Sequence, residues 1–528
     1  LCPPITRSAV LPESASRLTR RVAFALIAVG YAALFAGWVV GNPLGRAPDE
    51  PAHYVRALAA GSGDVLGRRV PAAPTGLTDA EHAWINRTER LFVLPQRQAL
   101  MPNLPCSPYD PEVPAACQQG WPPGAGREQP SYVGSYQPYA YLAPGLLMRL
   151  GDSPWSAWIF GRATFALLAL GLIALGLLAV GARPITTAAL LLAVTPMVVF
   201  LGSTLNPSGI ESAAGVSFAA GLVGVLREGR TRWPAWGALA AGGVLLAATR
   251  SLGPYFIVVL VAAFALAFGS QRTWARLKQA RMAALVVGAL VAAAIVANVA
   301  WEQTQQPHLA LSPSLIGHLS LTTVPRLVVE LIARFGWTET PISAPLTLAW
   351  LLLAAGLVAL ALAASRWRQR AALIGLVAVV AGLIVLLRTV LPIDTGFAAQ
   401  GRYVLPLAVA IPIMAGELVR RHELRLPSRI APVFAGSAIA VAALVQGLAF
   451  YLNARRYAVG TSGPRWFVSH ALWSPPGGWW IWLGLGIGGA ALLAAGGLIP
   501  FARAERNDAA ADRPSRAPAE GRRRADIL

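Results

Sequence analysis

The sequence predicts an all-α polytopic membrane protein, with about twelve transmembrane helices and a large first loop outside the membrane. Three observations carry this. Of 528 residues, 55% are hydrophobic and only 13% are charged, and the mean hydropathy is +0.55, unlike a soluble globule. Apolar stretches long enough to cross a hydrocarbon core of about 30 Å recur along the chain. Basic residues collect in every second short loop.

In order, the apolar stretches fall at 22–41, 156–180, 185–205, 210–226, 234–249, 254–269, 282–300, 344–364, 371–390, 403–419, 430–452 and 479–500. The first is too long for the apolar region of a signal peptide. Its Gly41-Asn42-Pro43-Leu44 edge is a poor cleavage site, so it reads as a retained helix. Arg17, Arg20 and Arg21 precede it; Arg227, Arg230 and Arg232 follow the fourth span; Arg272, Arg276, Lys278 and Arg281 follow the sixth. Arg366, Arg368 and Arg370 follow the eighth, and Arg420, Arg421, Arg425 and Arg429 the tenth. By the positive-inside rule these loops and both termini are cytoplasmic, as expected of a multi-pass plasma-membrane protein. The net charge of +20 follows from that bias and an Arg-rich tail, and calls for no nucleic-acid partner. The chain thus divides into a cytoplasmic segment 1–21, a transmembrane domain 22–500 and a disordered cytoplasmic tail 501–528.

Three loops face outside, at 42–154, 301–343 and 453–478. The first is far longer than a connector needs to be, which marks it as functional. It holds Cys106 and Cys117 around a Pro-rich run; an oxidising compartment favours a bond between them, and two free thiols are the alternative. No Cys/His spacing marks a zinc site, and there is no P-loop, dinucleotide fingerprint or internal repeat.

Ionisable residues near hydrocarbon are costly, so their placement carries information. Arg162, Glu211, Arg250, Arg388, Asp394 and Arg402 all fall at outer span ends. Any one arginine there can snorkel outward. Four at one level, beside Asp49 and Glu50, suit an anionic head group such as a phosphate held next to a catalytic acid.

Asp49 and Glu50 are bracketed by Pro48 and Pro51, and residues 50–60 read as a helix ending at Gly61 or Gly63. Asp49 fits its N-cap, so a capped surface helix competes with a catalytic carboxylate pair. Asp49 and His53 are four residues apart and share a helical face, a spacing that holds a divalent metal through oxygen and imidazole, or lets the histidine orient the acid. With so few ligands nearby, a metal-independent chemistry is favoured. Before the second span, 131–141 contains Tyr132, Tyr136, Tyr139 and Tyr141. These tyrosines form either an interfacial belt or flat faces for a sugar ring, Tyr139 among them. Asn206-Pro207-Ser208-Gly209-Ile210-Glu211 opens the fourth span, with Asn206 as a cap and Glu211 deeper. Gln400-Gly401-Arg402-Tyr403 leads into the tenth span: Gln400 offers an amide, Gly401 allows close backbone approach, and Arg402 lies at headgroup level with Tyr403.

Together, the Pro-Asp-Glu-Pro-Ala-His run, the Gln-Pro-x-x-Tyr segment, the Asn-Pro-Ser-Gly-x-Glu turn and the Gln-Gly-Arg-Tyr-x-x-Pro run resemble the bacterial predicted membrane proteins of the DUF2142 family, grouped with the glycosyltransferase C (GT-C) superfamily. The resemblance covers roughly 20–500. It implies a GT-C-like membrane fold and a glycosyltransferase that takes its sugar from a polyprenyl phosphate. An acidic residue in the first outer loop then serves as base or metal ligand, and Asp49 and Glu50 match that position.

On that reading Asp49 deprotonates an acceptor hydroxyl of an envelope glycan or protein, Glu50 supports it, and Arg402 with Arg250 or Arg388 holds the departing phosphate. A transporter or flippase of lipid-linked envelope precursors is the alternative. That class favours charged residues and broken helices at the midplane, whereas the polar residues here gather at one face. A non-catalytic assembly factor on a transferase scaffold is a third possibility.

Overall fold

The computed structural model describes residues 13–69, 76–99, 109–118, 126–227, 233–305 and 324–511. Within them the chain is mostly helical, with two short ribbons in the segments before α4 and α14. The long helix α1 (Glu13–Gly41) leads into α2 (Glu50–Gly61), α3 (Asp79–Thr88) and α4 (Tyr139–Met148), with β1 (Arg90–Val93) and β2 (Glu128–Ser131) between the last two. The ribbon is antiparallel, with Arg90 opposite Ser131. Then follow α5 (Pro154–Val180), α6 (Pro184–Ala193), α7 (Pro196–Gly202), α8 (Pro207–Leu226), α9 (Trp233–Thr249), α10 (Gly253–Phe268), α11 (Ser270–Gln279) and α12 (Arg281–Gln305). After them come α13 (Val324–Ile332), β3 (Arg334–Phe335) and β4 (Thr340–Pro341). The chain closes with α14 (Ala344–Ala364), α15 (Trp367–Thr395), α16 (Leu405–Ala408), α17 (Ala410–Arg421), α18 (Ile430–Val459) and α19 (Trp479–Ala511).

Proline sets many starts, standing in the first turn of α2, α5, α6, α7, α8 and α14, where its missing N–H costs nothing. Glycines at positive φ follow α5, α10, α15 and α18, at Gly181, Gly269, Gly396 and Gly460. The helices share one apolar core. α8 is its centre and is nearly all buried, whereas α12 and α14 turn most of their apolar side chains outward, as helices facing lipid do.

Among the described residues, eight helices are long and apolar enough to cross a membrane, and up to ten spans result if each bent pair counts as one. The sequence pattern suggested about twelve, and the difference lies in how four stretches fold. The third breaks at Val194–Thr195 into α6 and α7, bent by 58°. The carbonyl of Val194 accepts from Gln446 Nε2 at 2.8 Å, so protein satisfies the freed group. The fifth forms the 17-residue α9, and the sixth forms α10, which turns by 104° into the basic α11. The tenth becomes a 3₁₀ turn at 401–403 followed by α16 and α17. At the C-terminal end α19 continues to Ala511, past the boundary given to the tail, and 512–528 lie outside the described residues.

Polar ties define the two ends of the bundle. At one end Arg227, Arg420 and Arg421 all bind Glu417, and His422 meets Gln369. At the other, the loops after α1, α9 and α15 and the end of α18 converge with α13 and the start of α8.

Candidate functional site

The site is built around a kinked turn. Asn42, Pro43, Arg46 and Ala47 lead from α1 into Asp49, which sits in the left-handed region at φ 61°. A non-glycine residue there is strained. Asp49 stands at the N-cap position of α2, but its side chain makes no cap hydrogen bond. The backbone conformation turns the carboxylate outward instead. Asn206 Nδ2 donates to the carbonyl of Pro48 at 2.8 Å, and Arg402 Nη1 reaches the same oxygen at 3.4 Å. The Asn206 side chain also caps α8 by accepting from Ser208 N, so one residue fixes both the helix start and the turn.

The two adjacent carboxylates have opposite environments. Glu50 is wholly buried. Arg162 grips it with both prongs, Nε to Oε1 at 2.6 Å and Nη2 to Oε2 at 2.7 Å. The amides of Leu205 and Gly45 donate to its two oxygens at 3.0 Å each. Arg162 also donates to the carbonyls of Val39, Asn42 and Pro43. Glu50 therefore ties α1, α5 and the α7–α8 turn together and has no oxygen left for a substrate.

Asp49 remains about a quarter exposed. Arg402 Nη2 pairs with its Oδ2, and the Tyr132 hydroxyl donates to its Oδ1 at 3.0 Å. Burial raises the Asp49 pKa, but the charge and bond of Arg402 and the bond from Tyr132 more than offset this and leave it below the ordinary value. Burial, with Asp49 next, pushes the Tyr132 hydroxyl well up, so it stays a donor.

Two arginines and three tyrosines surround this carboxylate. Arg250, in the α9–α10 turn, donates to Ser208 Oγ at 3.0 Å and lies over the rings of Tyr136 and Tyr403 at 5.0 and 5.4 Å. Arg402 lies over Tyr403 at 5.3 Å. Both guanidiniums thus lie within cation–π reach of the Tyr403 ring. Asn298 of α12 holds the Arg250 turn by donating to the carbonyls of Ala247 and Arg250. Gly401 approaches α13 so closely that a Cβ there would lie 2.4 Å from the Leu327 carbonyl; its N–H donates to buried Glu330 at 2.8 Å.

His53 is buried one turn below Asp49, its Nδ1 2.8 Å from the Tyr141 hydroxyl. Burial pushes its pKa down to about 3, against the pull of Asp49 and with help from Arg250 and Arg402. It is a neutral hydrogen-bonding partner. The donor set does not fit a divalent ion between Asp49 and His53. Arg402 and Tyr132 occupy the Asp49 oxygens, and no group of three His, Cys, Asp or Glu side chains suited to a metal occurs among the described residues.

Of the residues singled out from sequence, Asp49, His53, Arg250, Arg402 and Tyr403 come together. Glu211 is buried in α8, where Arg250 is the cation that bears on it, and no hydrogen bond reaches it from the described residues. Gln400 is half-buried beside Gly401, with its Oε1 unpartnered among the described residues. Arg388 is half-buried on α15, while the bonds to Asp49 come from Arg402 and Tyr132. Tyr139 points away: its hydroxyl donates to the Ala297 carbonyl and its ring packs on Trp301. Of that motif Tyr132 bonds the carboxylate, and Tyr136 lies under Arg250. Arg162, Ser208 and Asn298 complete the framework. Arg162 and Ser208 stand among the residues named from sequence; Asn298 does not, and an amide inside an apolar span is the signal that marks it. Cys117 is disulfide-bonded; Cys106, its expected partner, lies outside the described residues.

The fold and the site define a polytopic helical membrane protein with a strained carboxylate and two arginines at one end of its bundle. The chain belongs to the family described as "Predicted membrane protein (DUF2142)", whose model matches residues 33–411. Two crystal structures of ArnT from Cupriavidus metallidurans are similar, one bound to undecaprenyl phosphate and one in the apo state. The first is 16% identical with a TM-score of 0.41, covering 93% of this chain and 79% of ArnT. The second is 15% identical with a TM-score of 0.40, covering 92% and 78%. Similarity at this level does not extend to activity or ligand. No curated protein matches the chain.

Proposed function

We propose that the protein transfers a sugar from a polyprenyl-phosphate donor to an envelope glycan or protein at the extracytoplasmic face of the plasma membrane, both termini being cytoplasmic. The observation that carries this reading is Asp49, a part-exposed carboxylate shared between Arg402 and Tyr132, with Arg250 over the ring of Tyr403 beside it. The basic loops at the opposite end of the bundle support the orientation.

In the proposed step the acceptor oxygen forms a bond to the sugar's anomeric carbon as the bond from that carbon to the donor phosphate breaks. The acceptor proton goes to Asp49, and the bonding pair leaves with the polyprenyl phosphate, whose negative charge Arg402 and Arg250 stabilise. A carboxylate paired with arginine is a weak base. The donor phosphate relieves this by drawing Arg402 toward itself, which raises the basicity of Asp49 when the substrate is present. Glu211 lies behind Arg250 as a counter-charge.

Broken spans favour a second reading, a flippase of lipid-linked precursors, since transporters unwind helices around their cargo. The α6–α7 break, however, is closed by Gln446. Purified protein supplied with radiolabelled polyprenyl-phosphate sugars and envelope acceptors tests the proposal: transfer is expected. If no donor supports transfer while proteoliposomes move lipid-linked precursors across the bilayer, the flippase reading replaces it. A cysteine introduced at Asp64 is expected to react with an impermeant reagent from outside; labelling only from the cytoplasm overturns the orientation.

A further inference from the structure

All three non-glycine residues held at positive φ among the described residues gather in one corner: Asp49 at 61°, Tyr109 at 68° and Thr338 at 71°. Thr338 follows Trp337, whose Nε1 donates to the carbonyl of Gly45 at 3.2 Å. Gly45 in turn donates its own N–H to Glu50, so the Trp337 ring is bonded to the same turn that presents Asp49. Tyr109 packs edge to face on Trp337, with centroids 5.8 Å apart and the planes at 71°. Two separate outer loops therefore deliver two aromatic rings to the approach to Asp49.

The Tyr109 ring is not there to complete the core, because the residue is 64% exposed. It is nonetheless held in place with some elaboration. Arg456, buried in α18, donates to the carbonyls of Asp110 and Val113 at 2.5 and 2.8 Å. Thr461 N donates to the Pro111 carbonyl, and Ser462 N to Glu112. Cys117, at the end of the same segment, is disulfide-bonded. Glu339, two residues beyond Trp337, pairs with Arg456 at 3.6 Å and keeps one buried oxygen without a hydrogen-bond partner among the described residues. Burial raises the pKa of the Tyr109 hydroxyl, and the charges of Asp49 and then Glu339 raise it further, which sets both carboxylates within electrostatic reach of the ring.

A strained, rigidly tethered and solvent-facing aromatic pair beside carboxylates suits a ligand with an apolar ring face and hydroxyls at its rim, which is a sugar ring. We propose that Tyr109 and Trp337 form the platform on which a sugar ring of the acceptor rests, with the reacting hydroxyl directed to Asp49. This rests on the transferase reading above, and it narrows the acceptor to a glycan. The water-facing position of Tyr109 assigns the platform to the acceptor rather than to the lipid-borne donor.

The test uses Tyr109→Asn, which removes the ring while keeping a residue that tolerates the left-handed conformation, and Tyr109→Phe, which keeps the ring. Calorimetric titration of the full chain with chitotetraose, maltotetraose and mannotetraose is expected to show binding of at least one. Tyr109→Asn should weaken it about three- to tenfold and Tyr109→Phe by less than about twofold, the range of an aromatic contact. Wild-type protein that binds none of the three, or Tyr109→Asn that binds as wild type does, overturns the platform. In the transfer assay Tyr109→Asn is expected to raise the acceptor KM and leave the donor KM unchanged; a rise in the donor KM alone overturns the acceptor assignment. If saccharide binding depends on Tyr109 but no transfer occurs, the platform stands and the transferase reading falls. If transfer occurs with an acceptor KM indifferent to Tyr109, the reverse holds.

Discussion

The sharpest consequence of the structure is that Glu50→Gln should damage folding while Asp49→Asn should damage only chemistry. Glu50 accepts two bonds from Arg162 and one each from the Leu205 and Gly45 amides, all fully buried. Glutamine replaces one of these acceptor oxygens with a donor, facing both a backbone amide and a guanidinium prong. It also leaves Arg162 charged and buried with only neutral oxygens for partners. Breaking a buried pair by removing one partner costs about 3–5 kcal/mol. That is a large share of a stability that is commonly about 5–15 kcal/mol. Asp49→Asn also takes a carboxylate from a buried guanidinium, Arg402, but the Asp49 side chain is a quarter exposed, Arg402 keeps the Pro48 carbonyl and the Tyr403 ring, the Tyr132 bond can persist, and asparagine is well suited to the φ of 61°. The assay is denaturant unfolding of detergent-purified protein followed by tryptophan fluorescence, read beside transfer activity. Glu50→Gln should unfold at markedly lower denaturant, with Asp49→Asn close to wild type. Glu50→Gln that unfolds like wild type yet is inactive would mean that Glu50 acts in the chemistry, and the reasoning about the divided pair would fail.

Asp49→Asn should lower the turnover number by about 10²–10⁴-fold with a smaller effect on donor KM, the range for a general base; wild-type transfer by this variant would direct the search for the base to Glu211. Arg402→Lys should recover part of the activity that Arg402→Ala loses, because a lysine keeps the charge but not the fork that spans Asp49, the Pro48 carbonyl and a phosphate; equal activity of wild type and lysine variant would count against phosphate binding there. His53 is held neutral with its pKa at about 3 against an ordinary 6.5, so between those values the unfolded chain binds more protons and stability rises with pH. Its contribution is fully present above about pH 6.5 and fades as pH falls toward 3; His53→Gln should flatten that part of the unfolding-against-pH curve, and an unchanged slope would refute it. Cys106 should be the partner of Cys117: mass spectrometry of non-reduced peptides should recover them linked, the bond contributing about 2–3 kcal/mol through loop closure, and free Cys106 would exclude it.

Much of the architecture was legible because the bilayer is a severe solvent. A helix that crosses it must be apolar over its whole length, so composition and spacing alone locate α1, α5, α8, α12, α14, α15, α18 and α19. The stretches that fold as bent pairs or as broken pieces, 185–205, 254–269 and 403–419, carry the same hydropathy signal. The break in the first is satisfied by a distant helix, Gln446 for Val194, and no window of sequence contains both; α10 ends at Gly269, whose positive φ is a local feature. The same division applies to the site. The rarity of charge near hydrocarbon was enough to single out Asp49, Glu50, Arg250 and Arg402, and the local order of residues placed the helix that starts after Asp49.

Sequence by itself therefore determined that this is a helical membrane protein with its ionisable residues gathered at span ends, because the cost of burying polar groups in hydrocarbon acts position by position. Tertiary structure decided which of two neighbouring carboxylates is free. Asp49 and Glu50 are equivalent as sequence, but their environments are set by Arg402, 353 residues away, and Arg162, 112 residues away. Tyr132 rather than Tyr139 reaches the carboxylate because the register of α4 is fixed by its packing on α2, where a Cβ on Gly61 or Gly145 would lie 2.0 Å from the other helix's backbone. Contacts of that kind arise only when the helices assemble, and they separate a framework ion pair from a site open to solvent.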